Sequence, residues 1–339
     1  MIQLYHSDGD RAIPPLPLPA RRRYFSPPMS LARRLLLAGS RSPWLARQLR
    51  QRAFLRHAVR RFLPGEEASA ALAAAAELRR AGLGAVLTQL GEQVTDEADA
   101  RAVRDHYLEL LDRIRDQGLG AELSVKLTQL GLDRDRAACA RDVITLAGHA
   151  ARAGSFLWID MEESRYVDPT LALVREVLAA GPRLGICLQA YLRRTPADLA
   201  ALWPLGPAIR LVKGAYNEPA SVAWPRKRDV DRAYAELAAQ LLERVAPHGM
   251  LGPRAVFGTH DGDLIARIRD LADVLAVVPG AYEIHMLYGI RAREQVALAR
   301  AGCRVRVLIS YGSAWFPWYM RRLAERPANV WFVLRNLVQ

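Results

Sequence analysis

Two adjacent arginines near the end of the chain could bind a small acid. Residues 314–325 have the sequence AWFPWYMRRLAE, and Pro317 suits the first turn of a helix. On such a helix Trp318 shares a face with Arg321 and Arg322, which follow it by three and four residues. Paired guanidiniums can hold a carboxylate beside an aromatic ring. The same spacing is typical of a solvent-exposed arginine face, so the residues alone leave both interpretations open.

Lysine is rare in this chain, which makes its positions informative. Of 48 basic residues only three are lysines, namely Lys126, Lys213 and Lys227. Lys126 and Lys213 lie in apolar runs typical of strands, where a compact ammonium differs chemically from a planar guanidinium. We interpret these two lysines as candidate functional residues.

Eight short apolar runs alternate with longer amphipathic segments. Each run predicts a strand, and the runs are 84–90, 121–130, 156–162, 184–191, 208–216, 254–260, 282–289 and 303–311. Eight strands, each followed by a helix, predict an α/β protein built as a closed parallel (βα)8 TIM barrel. A doubly wound open sheet is the alternative, but it usually carries a glycine-rich nucleotide loop, and this sequence has none.

Polar residues concentrate towards the ends of these runs. Charges inside a barrel are costly unless paired, whereas the carboxyl ends of barrel strands form the mouth where active sites are built. We therefore predict that side chains from separate strands converge on one mouth. The residues concerned are Gln89, Glu92, Lys126, Asp160, Gln189, Arg210, Lys213, Thr259, His260, His285 and Tyr311.

Positive charge is concentrated at the start of the chain. Residues 1–65 contain 13 arginines, no lysine and two aspartates, and the net charge of the whole chain is +13. We predict a proline-rich leader with N-terminal helices over 1–65 and a barrel domain over 66–339. The leader is either poorly ordered or a basic surface for an acidic membrane or partner. Nucleic acid is not an expected partner, because aromatic residues are not interleaved with the arginines.

The cysteines and apolar runs indicate the compartment. Cys139, Cys187 and Cys303 show no CxxC or zinc spacing, so we predict neither a disulfide frame nor a metal site. We interpret them as small core residues of a reducing compartment. No signal-peptide pattern opens the chain, and no apolar run reaches membrane-spanning length. We expect a cytoplasmic protein, with peripheral contact at the inner face of the membrane as an open alternative.

Seven segments together resemble the proline dehydrogenase family, including the corresponding domain of the bifunctional proline utilisation proteins. They are SVKLTQLGL (124–132), IDMEES (159–164), LQAYLRR (188–194), RLVKGAY (210–216), THD (259–261), MLYGIR (286–291) and MRRLAERPAN (320–329). No single segment is decisive. The set occurs in the family's order and at the spacing of barrel strands, which makes the resemblance specific.

The resemblance implies a distorted (βα)8 barrel with FAD across its mouth and the last helix over the flavin. It implies oxidation of L-proline to 1-pyrroline-5-carboxylate, with hydride transfer to flavin N5 and a quinone-type electron acceptor. Asp160 and Arg210 are the implied catalytic residues, with Asp160 orienting Lys126 and Arg210 near N5. The residues implied to bind substrate are Lys126, Trp318, Arg321 and Arg322. Those implied to contact FAD are Met161, Gln189, Arg210, Leu211, Val212, Lys213, Thr259 and His260.

Two residues depart from the family's pattern. Trp318 stands where the family typically has a tyrosine that packs on the substrate ring, and His285 stands where it commonly has glutamine. Tryptophan is larger and lacks the phenolic hydroxyl, so another cyclic amino acid or a prolyl derivative, such as hydroxyproline, is an alternative substrate. A non-catalytic basic adaptor with a barrel fold is a further alternative. Against the adaptor stands the presence of Lys126, Asp160, Arg210, Arg321 and Arg322.

Replacing Arg321 tests the predicted carboxylate clamp. Arg321→Met should raise the Michaelis constant for the substrate about 10- to 100-fold, because one charge-assisted contact is lost. The visible flavin spectrum should not change. Arg335→Met, outside the matching segments, is the control. Unchanged turnover at low substrate in Arg321→Met would show that the guanidinium does not bind substrate.

Overall fold

A computed structural model describes residues 61–246, 253–278 and 280–315 of the chain. Within these ranges eight parallel strands form a closed barrel in sequence order, with the first strand paired to the last. Parallel neighbours need a long crossover connection, and the helical segments between the apolar runs supply it. The predicted (βα)8 fold is confirmed. Most of the predicted leader and the last predicted helix lie outside the described residues.

The strands lie inside the predicted runs. They are β1 (Gly84–Gln89), β2 (Glu122–Val125), β3 (Leu157–Ile159), β4 (Gly185–Gln189), β5 (Ala208–Val212), β6 (Ala255–Gly258), β7 (Tyr282–Leu287) and β8 (Arg304–Tyr311). Most strands are shorter than their runs, because the ends of the runs form loops at the mouth. After β2, for example, the apolar run continues as a 3-10 turn, Leu127–Leu130.

Eight α-helices surround the strands in the described ranges. They are α1 (Ala68–Arg80), α2 (Glu97–Asp116), α3 (Arg136–Arg152), α4 (Val167–Ala179), α5 (Thr195–Leu202), α6 (Lys227–Val245), α7 (Gly262–Val274) and α8 (Ala292–Arg300). Side chains of Asp96 and Asp135 accept hydrogen bonds from backbone N–H groups in the first turns of α2 and α3. No helix in the described ranges combines the length and apolarity needed to cross a bilayer.

Strand residues alternate between two apolar layers, as the two-residue period of a strand requires. The outward-facing side chains form one large core between strands and helices. The inward-facing apolar residues form a small separate cluster of Val86, Trp158, Ala208 and Val256. The interior of this barrel is therefore only partly apolar, and charged residues occupy much of it.

Two buried carboxylates and two half-buried guanidiniums close the amino-terminal end of the barrel. This basal cluster consists of Glu122, Glu283, Arg254 and Arg306. Each carboxylate pairs with both guanidiniums, at N–O distances of 2.8 to 3.1 Å. A buried charge without a partner is strongly destabilising, so the four residues depend on one another.

Trp158 connects the basal cluster to the upper half of the barrel. Its indole N–H donates to Glu122 Oε2 at 2.7 Å. The guanidinium carbons of Arg254 and Arg210 lie 5.2 and 4.9 Å from the centroid of its ring, within the range of cation–π attraction. Gly185 on the neighbouring strand leaves the space that the indole fills, since a Cβ there would lie 2.3 Å from the ring.

Gly185→Ala should destabilise the protein by about 1–3 kcal/mol, because the added methyl group cannot be placed without moving the Trp158 ring. Urea unfolding measures the change. Gly148→Ala is the matched control, since it lies in α3 and an added methyl group meets nothing closer than 3.5 Å. The control should gain up to about 1 kcal/mol. Equal stabilities of the two variants would contradict the packing described here.

Candidate active site

Three side chains from the three preceding strand segments meet around the guanidinium of Arg210. Arg210 lies on β5 and is only 3% exposed. Its Nη2 donates to Asp160 Oδ1 at 2.5 Å and to Ser124 Oγ at 2.6 Å. Its Nε donates to Cys187 Sγ at 2.8 Å. The guanidinium is thus held on three sides inside the upper half of the barrel.

The partners of Arg210 also contact one another. Ser124 Oγ donates to Asp160 Oδ1 at 2.9 Å. Burial raises the pKa of the Cys187 thiol to about 12, so its sulfur is neutral at physiological pH. Among the described residues, Asp160 is therefore the one negative charge in direct contact with Arg210, and the charge-assisted hydrogen bond between them is of the strong kind.

The expected role of Asp160 in orienting Lys126 stays a prediction, and the structure shows other partners for its carboxylate. Its carboxylate is taken up by Arg210 and Ser124. Lys126 follows β2 directly, and within the described ranges no carboxylate forms an ion pair with its ammonium. The lysine is half-buried at the mouth, so its charge is placed where an anion could approach.

A second acidic residue, Glu162, lies near Lys126. Its carboxylate accepts from the backbone N–H and the hydroxyl of Thr128, at 3.2 and 2.7 Å. Burial raises the pKa of Glu162 to about 7, although Thr128 and Lys126 both favour the charged form. The sequence analysis did not single out Glu162, which carries the only carboxylate pKa in the described ranges that is raised.

Seven buried side-chain polar atoms lack hydrogen-bond partners in the described part of the chain. Two of them lie on the neighbouring strands β4 and β5, namely Oε1 of Gln189 and Nη1 of Arg210. The amide nitrogen of Gln189 is fixed by the carbonyls of Met161 and Glu162, each at 3.2 Å. Buried polar atoms are usually paired, and leaving one unpaired costs about 1–3 kcal/mol. One donor and one acceptor at this place fit a polar heterocycle such as the isoalloxazine of FAD.

The residues after Arg210 divide between the two faces of β5. Val212 faces inward, and a Cβ on Gly258 of β6 would lie 2.8 Å from its Cγ1, so the glycine keeps the mouth open here. Leu211 faces the helices and is fully buried in the outer core. The period of two therefore places the Leu211 side chain away from the mouth, which does not support its implied contact with a flavin.

Lys213, Thr259 and His260 lie at the ends of β5 and β6. The ammonium of Lys213 pairs with Asp231 at 2.6 Å and with Asp261 at 2.8 Å. Thr259 Oγ1 accepts from the backbone N–H of Asp261 at 3.1 Å. His260 Nε2 accepts from the backbone N–H of Leu287 at 2.8 Å, so in the neutral ring the proton is on Nδ1. All three are at the mouth, as predicted.

Tyr311 and His285 were also predicted to converge on the mouth, but both lie elsewhere. Tyr311 faces outward from β8, and its hydroxyl pairs with His106 Nε2 of α2 at 2.7 Å. His285 lies inside the barrel, below the mouth, with its ring 5.7 Å from that of Trp158 and its Nε2 3.4 Å from Glu283 Oε2. Burial lowers the pKa of His285 to about 4 against the opposing effect of Glu283. It is a neutral interior residue rather than a residue of the mouth.

Trp318, Arg321 and Arg322 lie outside the described residues, so their predicted roles stay predictions. Ser124 and Cys187 were missed, although each precedes a predicted site residue by two positions on the same strand face. The two-residue period from Lys126 and Gln189 was the signal that could have identified them.

Polar side chains at the carboxyl ends of the strands of a (βα)8 barrel, with a buried arginine beside them, are typical of the active site of a barrel enzyme. Residues 71–335 match the family described as "Proline dehydrogenase". The chain belongs to the proline dehydrogenase family of FAD-dependent oxidoreductases. It is 36% identical over 282 residues to Proline dehydrogenase 1 of Bacillus subtilis (strain 168), covering 83% of this chain and 91% of that protein.

A second relative supports the family assignment, and a solved structure supports the fold. Proline dehydrogenase of Deinococcus radiodurans is 33% identical over 317 residues, which cover 91% of this chain and 98% of that protein. The crystal structure of proline utilization A from Bdellovibrio bacteriovorus, inactivated by N-propargylglycine, has a similar fold with a TM-score of 0.74 at 22% identity. That alignment covers 86% of this chain but only 36% of the longer protein, and it supports the fold alone.

The depressed pKa of His285 predicts a pH dependence of stability. An unfolded histidine titrates near its ordinary value of 6.5, so between about pH 6.5 and 4 the unfolded chain binds a proton that the folded chain does not. Stability from this residue is present above pH 6.5 and is lost as the pH falls. Relative to the wild type, His285→Gln should gain about 2 kcal/mol on going from pH 7.5 to 5.

Urea unfolding of both proteins at several pH values measures this difference. The raised pKa of Glu162 acts in the opposite direction over a similar pH range, but it is common to both proteins and cancels in the comparison. A stability difference that stays constant with pH would show that His285 titrates normally.

Proposed function

We propose that this chain binds FAD and oxidises L-proline to 1-pyrroline-5-carboxylate, with a quinone-type molecule as the final electron acceptor. The observation that carries the proposal is the buried guanidinium of Arg210, which Asp160, Ser124 and Cys187 hold with Nη1 unpaired. Gln189, whose carbonyl oxygen also lacks a partner among the described residues, lies on the neighbouring strand β4, in a chain of the proline dehydrogenase family. The names of the curated relatives support proline as the substrate.

The residues of the mouth would bind and orient the two reactants. FAD, when bound, supplies the acceptor for the hydride that leaves the substrate carbon. Arg210 would donate from Nη1 to the isoalloxazine, and Gln189 would accept from it through Oε1. Lys126, with Arg321 and Arg322, would hold the substrate carboxylate. Fixing the acid group in this way restricts the substrate to one orientation, which accounts for a large part of the rate enhancement in such reactions.

Arg210 and Asp160 would act electrostatically rather than by proton transfer. A buried cation whose position is fixed by three neighbours needs no reorganisation when negative charge develops beside it. Asp160 is engaged by Arg210 and Ser124, so it is not placed to accept a proton from the substrate. The substrate amine must therefore be deprotonated before the reaction, and turnover should rise with pH through the amine's titration.

The quinone-type acceptor and a cytoplasmic location with peripheral membrane contact belong to the same proposal. A quinone resides in the bilayer, and residues 1–65 carry 13 arginines that would attract an anionic inner leaflet. The family relationship favours proline over the alternative cyclic substrate that Trp318 suggested in the sequence. The family relationship does not favour the non-catalytic adaptor.

Anaerobic mixing of the purified protein with substrates tests the proposal. The protein should be yellow, and L-proline should bleach the flavin absorbance near 450 nm. Hydroxyproline and the six-membered ring homologue serve as comparisons, and chemical reduction by dithionite is the control for accessible flavin. If either analogue reduces the flavin faster than L-proline does, that analogue is the preferred substrate. A colourless protein that FAD does not reconstitute would refute the proposed function.

A further inference from the structure

Two lysines and two aspartates form a closed ring of alternating charges at the mouth of the barrel. We call Lys213, Asp231, Lys227 and Asp261 the lysine–aspartate ring. Lys213 pairs with Asp231 at 2.6 Å and with Asp261 at 2.8 Å. Lys227 pairs with Asp231 and lies 3.6 Å from Asp261. Each ammonium thus faces both carboxylates, and the formal charges of the four groups sum to zero.

The composition of the ring differs from that of the rest of the chain. Only three of 48 basic residues are lysines, and two of the three are in this ring. Other ion pairs of the described residues use arginine or histidine as the cation. An ammonium is a compact charge with three rotatable N–H donors, which lets Lys213 contact Asp231 on α6 and Asp261 before α7 at the same time.

Three of the four side chains of the ring are half-buried, where charges act over longer distances than at the surface. The side chains of Lys213, Asp231 and Asp261 are 26, 27 and 24% exposed, whereas Lys227 at the outer edge of the ring is 65% exposed. Burial alone would raise the pKa of Asp261, but Lys213 and Lys227 outweigh it and the pKa is lowered. Burial opposes the charge of Lys227, yet Asp231 raises its pKa. Both groups therefore remain charged at neutral pH.

The ring is attached to the strands that carry the proposed flavin contacts. Lys213 follows β5 three residues after Arg210, and Asp261 precedes α7 directly after Thr259 and His260. Lys227 and Asp231 are on the first two turns of α6 and make no contribution to the proposed substrate or flavin contacts. They reach the site only through their charges and through Lys213.

We infer that Lys227 and Asp231 set the electrostatic potential that Lys213 presents to bound FAD, and that they thereby tune the reduction potential of the flavin. This inference rests on the proposed function. The reduced flavin carries more negative charge than the oxidised form, so a net positive neighbourhood favours reduction and a net negative one opposes it. Lys227 and Asp231 are positioning residues that act through Lys213, with opposite signs.

Neutralising the lysine and neutralising the aspartate should shift the midpoint potential of the bound flavin in opposite directions. Lys227→Met leaves the ring with a net charge of −1 and should lower the midpoint potential of the bound flavin. Asp231→Asn leaves it with +1 and should raise the potential. We expect each variant to change the ratio of reduced to oxidised flavin about tenfold at a fixed potential, which is about 30 mV for a two-electron couple.

Two matched controls separate the ring from general charge effects. Lys227→Arg keeps the charge. Its ratio of reduced to oxidised flavin at a fixed potential should therefore stay within about twofold of the wild-type ratio. Arg228→Met removes one positive charge from the same turn of α6, but Arg228 lies 3.7 Å from Asp229 and outside the ring, so its effect should be equally small. Thermal unfolding and FAD dissociation constants confirm that each variant is folded and loaded.

The potentials are measured by anaerobic equilibration of the full-length holoprotein with redox dyes, which needs no substrate. Shifts of opposite sign in Lys227→Met and Asp231→Asn support the inference. Shifts of the same sign, no shift in either variant, or a shift in Arg228→Met as large as that in Lys227→Met would overturn it. A wild-type protein that binds FAD but is not bleached by proline refutes only the proposed substrate. A wild-type protein that binds no FAD refutes both proposals.

Discussion

The arrangement of this barrel follows from the need to keep one guanidinium charged while it is almost fully buried. Removing Arg210 from water has a large cost in free energy, and only close partners offset it. Asp160 supplies the countercharge, while Ser124 and Cys187 accept one further hydrogen bond each from the guanidinium. These partners come from three other strands, so the positions of β2 to β5 relative to one another determine the direction in which Nη1 points.

The same requirement extends down the barrel axis. Trp158 supports Arg210 from below and donates to Glu122, one of the two carboxylates of the basal cluster. His285 packs against the same indole ring and stays neutral because it is buried. The interior is thus a series of polar residues in contact with one another, with the apolar cluster reduced to a few side chains between them.

The sequence predicted the fold well because apolar runs and helical spacing are local patterns that the barrel preserves. It predicted the site less well, for reasons that depend on the residue. Tyr311 was placed at the mouth because its run located it near a strand end without assigning the face on which the side chain lies. The flavin contact of Leu211 was implied by the family resemblance alone. Asp160 was assigned to Lys126 rather than Arg210, since a linear pattern does not specify partners across strands.

The coupling of charges inside this barrel constrains how its sequence can change over time. Glu122 is shared by Arg254, Arg306 and Trp158, and Trp158 in turn supports Arg210. Exchanging any one of these residues for an aliphatic side chain would leave a neighbour's charge or donor stranded in the interior. Acceptable substitutions must therefore arrive in compensating groups. Residues along the barrel axis should therefore change more slowly in evolution than residues of the outer core, where single aliphatic exchanges are tolerated. Their changes should also be more correlated between distant positions.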